Sequence, residues 1–375
     1  MTGRSLASLI GLALITLGMS CSASSVPSQG STDCRLSEVK GSTISKDILS
    51  GVIPSTSGVM VVGTRYIGSG GSPMSGGGTT SSWRTHAIAT SKETSKELGQ
   101  VGGAAVNARW AVGTVGQTGA MAPLILSWNG RAWAQQAAPD PGTLEDGLSG
   151  VAAVSRTNAW AVGRHGTPTG FRTLVERWNG SAWTVTPSAN LGNSDALNDV
   201  AVAGPGAAWA VGWSVRGQRY ATLALRWNGS RWSVVPTPRL GAGDAVLYGV
   251  AIAPSGAWAV GWISRGDQVR PVVERWTGHA WKVVRLPSAF ATAAFSDIAV
   301  HGGELAIVGR RLVGGHSQPL VAVRRAGNWL EAPVDHSMGH GSLSAVTVDP
   351  GGRIWAVGVQ DDGNGQASSL VVSGC

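Results

Sequence analysis

Short apolar runs separated by glycine and polar turns follow one another along the whole chain. The clearest example is the string Trp160-Ala161-Val162-Gly163, which is followed by Trp178-Asn179-Gly180. Strings of the same kind recur at a period of about 49 residues. This repetition indicates a single structural unit present seven times. The place of Trp160 is taken along the chain by Met60, Trp110, Trp160, Trp209, Trp258, Ala306 and Trp355.

Each unit has the pattern of four short β-strands. In the unit around Trp258, valine, isoleucine and tryptophan are concentrated in the segments 249–253, 257–262, 271–276 and 281–284. Pairs such as Asn179-Gly180 stand between the third and fourth segments, where a tight hairpin needs residues that tolerate positive φ. Helical periodicity is weak, apart from one turn that could form between Ser91 and Leu98. The pattern predicts an all-β protein.

A four-stranded antiparallel unit leaves apolar surface on both faces, so the units must stack. A period near 50 residues is typical of the kelch-type β-propeller blade. From Cys34 onward the chain resembles that class, and it more closely resembles exported bacterial repeat proteins that share the Trp-Ala-Val-Gly and Trp-Asn-Gly strings. It departs from the kelch pattern because the second strand ends in Ala-Val-Gly where kelch repeats carry two glycines. The resemblance implies a propeller and export, and it implies no activity.

The last unit lacks a segment that could form its fourth strand. By comparison with the earlier units, Cys375 falls in the turn that precedes the missing strand, and the segment that begins at Cys34 has the pattern of that strand. We therefore predict that residues 34–375 form a seven-bladed β-propeller of four-stranded antiparallel blades. The N-terminal strand closes the ring, and a disulfide joins Cys34 to Cys375.

Residues 1–20 have the pattern of an export signal, in which an arginine precedes an apolar stretch. Residues 21–33 are rich in serine and are typical of a flexible tether. Two processing routes fit. Ser20-Cys21 can be a lipoprotein junction at which Cys21 is lipidated, or Cys21-Ser22-Ala23 can be the site of an ordinary signal peptidase. The first route predicts a lipoprotein on the outer face of the cell membrane, and the second predicts a secreted protein.

The composition narrows the choice of partner. The chain contains 17 tryptophans but three tyrosines and three phenylalanines, and the strict register of the tryptophans predicts packing between blades instead of a surface for sugar stacking. Trp213 and Trp262, which follow the glycine of the string, are the expected exceptions. The formal net charge is +8 with only 13% charged residues. This balance favours anionic polymers, glycans or lipid headgroups and does not favour nucleic acid.

In a propeller, the loops between strands two and three share one face with the connections between blades. Here the loops are basic, and the connections carry an aspartate at a repeated position. The aspartates could hold a cation at the channel mouth, or they could accept hydrogen bonds between neighbouring blades. A Gly/Ser-rich segment from Gly68 to Thr80 is expected to be a loop on the same face. The arginines are the candidates for contact with an anionic ligand, and the aspartates are the candidates for holding a cation. The candidate ligand-binding residues are Arg172, Arg216, Arg219, Arg265, Arg270, Asp146, Asp195 and Asp244.

Signals of catalysis are weak. His336 and His340 lie in an expected loop, so no metal site is predicted, and no cofactor is expected. Glu176 and Glu274, the candidate carboxylates of a glycosidase, occupy one repeat position and do not form a unique pair. We expect a monomeric, non-enzymatic module that binds a protein partner or an anionic cell-envelope polymer. The alternative is a carbohydrate-active hydrolase or lyase on a propeller scaffold.

Overall fold

A computed structural model describes residues 34–67, 70–89, 95–105, 108–117, 119–142, 144–337, 339–361 and 366–375. The predicted signal peptide (1–20), the tether (21–33) and the lipidation site Cys21 lie outside the described residues. Within the described ranges, no helix has the length and apolar character needed to cross a membrane.

The described residues form seven sheets of four antiparallel strands, one of which carries a short fifth strand. The strands are β1 (Leu36–Glu38), β2 (Asp47–Ser55), β3 (Gly58–Ile67), β4 (Gly70–Thr79), β5 (Ser82–Ala87), β6 (Lys96–Ala105), β7 (Ala108–Gln117), β8 (Ala120–Trp128), β9 (Trp133–Gln136), β10 (Gly147–Ser155), β11 (Asn158–Thr167), β12 (Gly170–Trp178), β13 (Trp183–Val185), β14 (Ser194–Gly204), β15 (Ala207–Arg216), β16 (Arg219–Trp227), β17 (Trp232–Val234), β18 (Asp244–Ala253), β19 (Gly256–Arg265), β20 (Gln268–Trp276), β21 (Trp281–Val283), β22 (Ala293–His301), β23 (Glu304–Val313), β24 (His316–Arg325), β25 (Asn328–Ala332), β26 (Val334–Asp335), β27 (His340–Val348), β28 (Ile354–Asp361) and β29 (Ala367–Gly374).

Blades 1 to 6 take their strands consecutively, so that blade 1 contains β2–β5 and blade 6 contains β22–β25. Blade 7 contains β27, β28, β29 and β1. The first strand of each blade lies innermost, beside the first strands of its neighbours. The part of the chain that the structure describes has one helical element, a 3-10 turn at Ser288–Phe290. The predicted all-β, seven-bladed propeller is confirmed.

The tryptophans join neighbouring blades. Trp160 of blade 3 contacts Trp227 and Trp232 of blade 4, with ring centroids 4.9 and 5.2 Å apart. The corresponding tryptophans of blades 4 and 5 repeat this arrangement, with both distances at 4.9 Å. Trp160 is fully buried, and the guanidinium of Arg177 lies 5.2 Å from its ring. The indoles of the repeat are therefore interior contacts that hold one sheet against the next.

The glycine that ends each repeated string has a steric role. The inner strand bulges opposite it, as between Leu148 and Gly150. A Cβ at Gly163 would collide with the carbonyl oxygen of Gly147. Glycine is therefore required where the second strand approaches the bulged inner strand. The same clash recurs once in every blade, at Gly63, Gly113, Gly163, Gly212, Gly261, Gly309 and Gly358.

Strand β1 takes the fourth-strand place in blade 7, where it pairs antiparallel with β29. A disulfide joins Cys34 to Cys375, with their Cα atoms 4.7 Å apart. The predicted ring closure and disulfide are both confirmed. The sequence did not reveal β26, which adds to the outer edge of β1 in parallel orientation. An ion pair of 2.6 Å between Arg35 and Asp335 reinforces this edge, so the N-terminal strand is held on both sides.

The prediction of a loop from Gly68 to Thr80 is wrong. Residues Gly70–Thr79 form β4, which pairs with both β3 and β5. A glycine-rich strand is accommodated because its neighbours approach so closely that a Cβ at Gly77 would collide with the Val59 carbonyl oxygen. The sequence also predicts a helical turn between Ser91 and Leu98. For the described part of that segment the prediction is wrong, since β6 begins at Lys96.

Candidate functional site

One end of the ring carries the hairpins between second and third strands and also the connections between blades. We call this end the upper face. Arg216 and Arg219 oppose each other across the tip of the β15–β16 hairpin, and Arg265 and Arg270 flank the tip of the β19–β20 hairpin. All four are exposed, and none makes a salt bridge with any other described residue. Arg172, at the start of β12, is half-buried. The predicted arginines thus lie on three neighbouring hairpins of one face.

Asp146 is buried where the chain passes from blade 2 to blade 3. Its Oδ1 accepts a hydrogen bond of 2.7 Å from the backbone N–H of Gly166, and its Oδ2 has no partner among the described residues. Burial raises the pKa of Asp146 above its ordinary value; the bond from Gly166 opposes this rise, and the neighbouring Asp140 adds to it. Because only 1% of Asp146 is exposed, this carboxyl is directed to the interior and not to an external ligand.

Asp195 and Asp244 serve the next two junctions between blades. The fully buried Asp195 accepts hydrogen bonds from two backbone amides of its own connection and lies 3.9 Å from Arg172. Oδ1 of Asp244 accepts a 2.9 Å bond from the backbone N–H of Tyr220. No group of three acidic, histidine or cysteine side chains in the described ranges is placed to hold a metal ion. Each predicted aspartate therefore engages the backbone of its own junction.

Hydrogen bonds tie the upper hairpin of one blade to the following connection at four successive junctions. At the fifth, between blades 5 and 6, the repeat places Val269 and Thr292 where the preceding junction has Tyr220 and Asp244. Thr292 instead donates to the Leu312 carbonyl at 3.5 Å, and no bond ties Val269 to the connection among the described residues. This junction is therefore open. The four ties are Gly71 N–H to Ser95 Oγ, Asp146 N–H to Met121 O, Phe171 N–H to Ser194 Oγ, and Tyr220 N–H to Asp244 Oδ1.

A groove of about 700 Å³ lies at this open junction. One wall is the β19–β20 hairpin from Asp267 to Pro271, and the other is the connection from Val284 to Thr292 together with Leu312. Its volume falls within the range of ordinary ligand pockets. Of the predicted arginines, only Arg270 lines the groove. Its charged lining side chains are Arg270, Arg285 and Asp267, and its apolar ones include Val269, Leu286, Pro287, Phe290 and Leu312.

Exposed aliphatic side chains accompany the arginines on the upper face. Ile67 is 66% exposed at the hairpin of blade 1, and Val313 is 45% exposed at the hairpin of blade 6. Leu144 and Leu191 project from connections between blades, and Leu312 is exposed at the rim of the groove. The face therefore offers both positive charge and apolar contact area.

Trp213 and Trp262, the expected exceptions among the tryptophans, support the upper hairpins. Trp213 makes an edge contact with Tyr220, with ring centroids 5.0 Å apart, and Trp262 stacks on Tyr248 at 6.0 Å. Both indoles are half-buried. Their aromatic contacts lie below the arginine-bearing tips of the two hairpins.

Sequence reasoning missed a polar group on the inner strands. Gln100, Asp199 and Asp297 each follow the bulge of an inner strand, in blades 2, 4 and 6. Nε2 of Gln100 donates to Oδ1 of Asp199 at 3.1 Å. The blades between them carry Gly150 and Gly249 at the same position. At this repeat position the sequence alternates between a long polar residue and glycine from one repeat to the next. That alternation is the sequence signal from which this polar group could have been predicted.

These side chains tie each even-numbered blade to the next. Burial raises the pKa of Asp199 to about 6, although bonds from Val250, Gln100 and Val200 lower it. Burial and the charge of Asp199 together raise the pKa of Asp297 well above its ordinary value. The two carboxyls therefore keep their protons to a higher pH than ordinary aspartates do. The ties to the next blade are Val151 N–H to Gln100 Oε1 at 2.9 Å, Val250 N–H to Asp199 Oδ2 at 2.8 Å, and Val346 N–H to Asp297 Oδ2 at 2.8 Å.

Glu176 and Glu274 lie inside the protein and not in a cleft. Both are fully buried, and none of their carboxyl oxygens has a hydrogen-bond partner among the described residues. Burial raises the pKa of each to about 8, with a small addition from Asp140 for Glu176. They belong to different blades, 3 and 5, and the same position holds Leu225 in blade 4. The two carboxyls do not face one substrate.

The histidines of the upper face do not assemble into a metal centre within the described residues. His340 stacks on His316 with ring centroids 4.2 Å apart. His336 lies in the connection between blades 6 and 7 and is half-buried. The described part of the chain contains no set of three side chains suited to a metal ion, so His336 and His340 lack a third ligand there.

Comparison with solved structures supports the fold. The chain is similar to "YCF48 bound to D1 peptide", with a TM-score of 0.57 and 13% identity over 93% of this chain and 99% of that chain. It is also similar to streptogramin B lyase, with a TM-score of 0.58 and 13% identity over 92% of this chain and 100% of that chain. No protein-family model matches the chain, and no curated protein sequence matches it significantly. At this identity the likeness concerns the propeller fold alone.

Proposed function

We propose that this protein is a non-enzymatic binding or scaffold module that holds a protein partner on its upper face. The observation that carries the proposal is the combination of four exposed arginines, free of salt bridges within the described residues, with exposed aliphatic side chains on one face. Arginine and apolar side chains together are typical of protein interfaces. Exposed arginines that make no ion pair favour a partner that supplies carboxylates.

A protein fits this face better than an anionic envelope polymer. A polymer would be held by charge, and binding by charge alone makes no use of Ile67, Leu312 or Val313. The similar propeller YCF48 has been solved with a peptide bound. That precedent supports the use of this scaffold to bind polypeptide.

The alternative of a carbohydrate-active enzyme has less support. Asp199 and Asp297 are two carboxyls with raised pKa values, as a glycosidase would need. However, Oδ2 of each accepts a backbone hydrogen bond from the next inner strand, and Oδ1 accepts one from the following residue of its own strand. Asp199 is also only 5% exposed, so a substrate would have little access to it.

Export forms part of the proposal. A disulfide is typical of proteins that leave the reducing cytoplasm. Cys34 lies at the face opposite the upper face, where third and fourth strands turn, so a tether formed by residues 21–33 would leave from that lower face. Lipidation at Cys21 would turn the lower face to the membrane and the upper face toward the partner. Release by signal peptidase would leave the same binding face free.

The test is capture of envelope proteins by the purified chain, with cross-linking and mass spectrometry. A variant with Arg216, Arg219, Arg265 and Arg270 changed to serine is compared with a matched variant in which four exposed arginines of the lower face are changed. We expect the first variant to lose the captured protein and the second to retain it. Equal capture by both variants would contradict the face, and capture of polymer without protein would contradict the partner class. The matched arginines are Arg131, Arg156, Arg231 and Arg353.

A further inference from the structure

We propose that the groove between blades 5 and 6 anchors an acidic segment of the partner by taking up one of its apolar side chains. This inference rests on the proposed function and adds the position and the chemistry of the contact. The segment binds in extended form, with carboxylates at the two arginines of the groove rim and an apolar residue between its walls.

The groove lies at a junction where the aspartate of the repeat is replaced. At the preceding junction, Asp244 binds the backbone of Tyr220 and draws the hairpin of blade 4 onto the connection that follows. The corresponding residue after blade 5 is Thr292, whose shorter side chain turns to the Leu312 carbonyl. Among the described residues no hydrogen bond joins Val269 to the connection, and the groove of about 700 Å³ lies between the hairpin and the connection.

The lining favours a ligand that is both acidic and apolar. Arg270 and Arg285 outnumber the single acid, Asp267, and both arginines are exposed. The walls between them present Val269, Leu286 and Leu312, above the buried ring of Phe290. An arginine binds a carboxylate well, and burial of one leucine-sized side chain contributes roughly 1.5–3 kcal/mol.

The extent of the groove favours a polypeptide over a small anion. Its walls run from Asp267 to Pro271 along the hairpin and from Val284 to Thr292 along the connection. A small anion would pair with one arginine and leave the apolar walls in water. A segment of chain that lies along the groove would contact Arg270, Arg285 and the apolar side chains between them.

The test is fluorescence anisotropy with a short labelled peptide in which aspartate and glutamate flank two leucines. A second peptide carries serine in place of the leucines, and polyglutamate serves as the charge-only competitor. We expect Leu312→Ser to weaken binding of the first peptide by about tenfold and to leave the second unchanged. Val313→Ser is the matched control, because Val313 is similarly exposed but does not line the groove. Arg285→Ser should weaken binding of both peptides.

The outcomes separate this inference from the proposed function. Equal effects of Leu312→Ser and Val313→Ser, or no binding of the leucine peptide up to about 1 mM, would overturn the groove as the anchor. The proposed function would survive those results if envelope capture still depended on the upper-face arginines. Polyglutamate that competes as well as the leucine peptide would show that charge alone is bound and would also overturn the inference.

Discussion

Asp199 and Asp297 lie two blades apart on the inner strands, and each holds the next blade through a backbone N–H. Burial raises the pKa of Asp199 to about 6, and burial with the charge of Asp199 raises that of Asp297 further above its ordinary value. The folded ring therefore binds these protons more tightly than the unfolded chain, in which both groups titrate near 3.8. For Asp199 this contribution to stability is complete below about pH 4 and is lost as the pH rises through about 6, and the contribution of Asp297 is likewise lost as the pH rises.

Asp297→Asn should make the stability of the ring less dependent on pH. The amide carries no proton that can be lost, and it removes the charge that repels Asp199. We expect a smaller fall in Tm between pH 5 and pH 8 than in the parent protein, measured by circular dichroism. Asp267→Asn, which changes an exposed acid on the upper face, should leave the slope as it is. Parallel curves for the parent and Asp297→Asn would refute the shared titration.

Replacing a buried glutamate by leucine should stabilise the protein at alkaline pH. The pKa of Glu274 in the folded ring is about 8 against an ordinary value of 4.5, so the stability gained by protonation is complete below about pH 4.5 and disappears as the pH rises through 8. Glu274→Leu should raise the free energy of unfolding at pH 9 by about 2–4 kcal/mol, with a smaller gain at pH 5. Urea unfolding at the two pH values measures the difference.

Leu225→Glu is the matched reverse change, because Leu225 occupies the same repeat position in blade 4 and is also fully buried. It should introduce a loss of stability that grows between pH 5 and pH 9. If Glu274→Leu proved equally stabilising at both pH values, the carboxyl would not be protonated in the folded ring.

Removal of the disulfide should weaken the whole ring. The bond joins residues 341 positions apart, and loss of a native disulfide typically costs about 2–5 kcal/mol. We expect the double variant Cys34→Ser, Cys375→Ser to have a lower Tm, and a reductant should bring the parent protein to the same value. The reductant should have no effect on the variant. A parent protein whose Tm is insensitive to complete reduction would show that the contacts of β1 with β26 and β29 hold the ring without the bond.

The number of blades and the ring closure could be predicted because each repeat carries residues with strict steric demands. Gly163 faces a bulge that admits no Cβ, and Trp160 fills the space between two indoles of the next blade. Such positions accept few other residues, so they recur at a constant spacing. That spacing is what predicted the places of Cys34 and Cys375 in the last blade. Strand β26 could not be predicted, since Val334–Asp335 is too short to show an alternating pattern and becomes a strand only by pairing with Leu36.

The candidate site was only partly predictable. The repeat placed the arginines on one face, because hairpin position follows from register. It could not show which atoms each aspartate binds, since Asp195 turns to its own connection whereas Asp244 reaches the preceding blade. The replacement of aspartate by Thr292 was visible in the sequence. Its consequence, an open junction, depends on how the hairpin and the connection lie in space.

The alternation along the inner strands also marks the blade order. An even-membered ring can alternate long and short side chains without a break, whereas a ring of seven must place two of one kind side by side. Here the mismatch falls between blades 7 and 1, next to the blade that the disulfide closes. The break in the alternation therefore lies where the ring closes, and an exchange of blade 4 with blade 5 would add two further breaks. From blade 1 to blade 7 the residues are Gly51, Gln100, Gly150, Asp199, Gly249, Asp297 and Ala345.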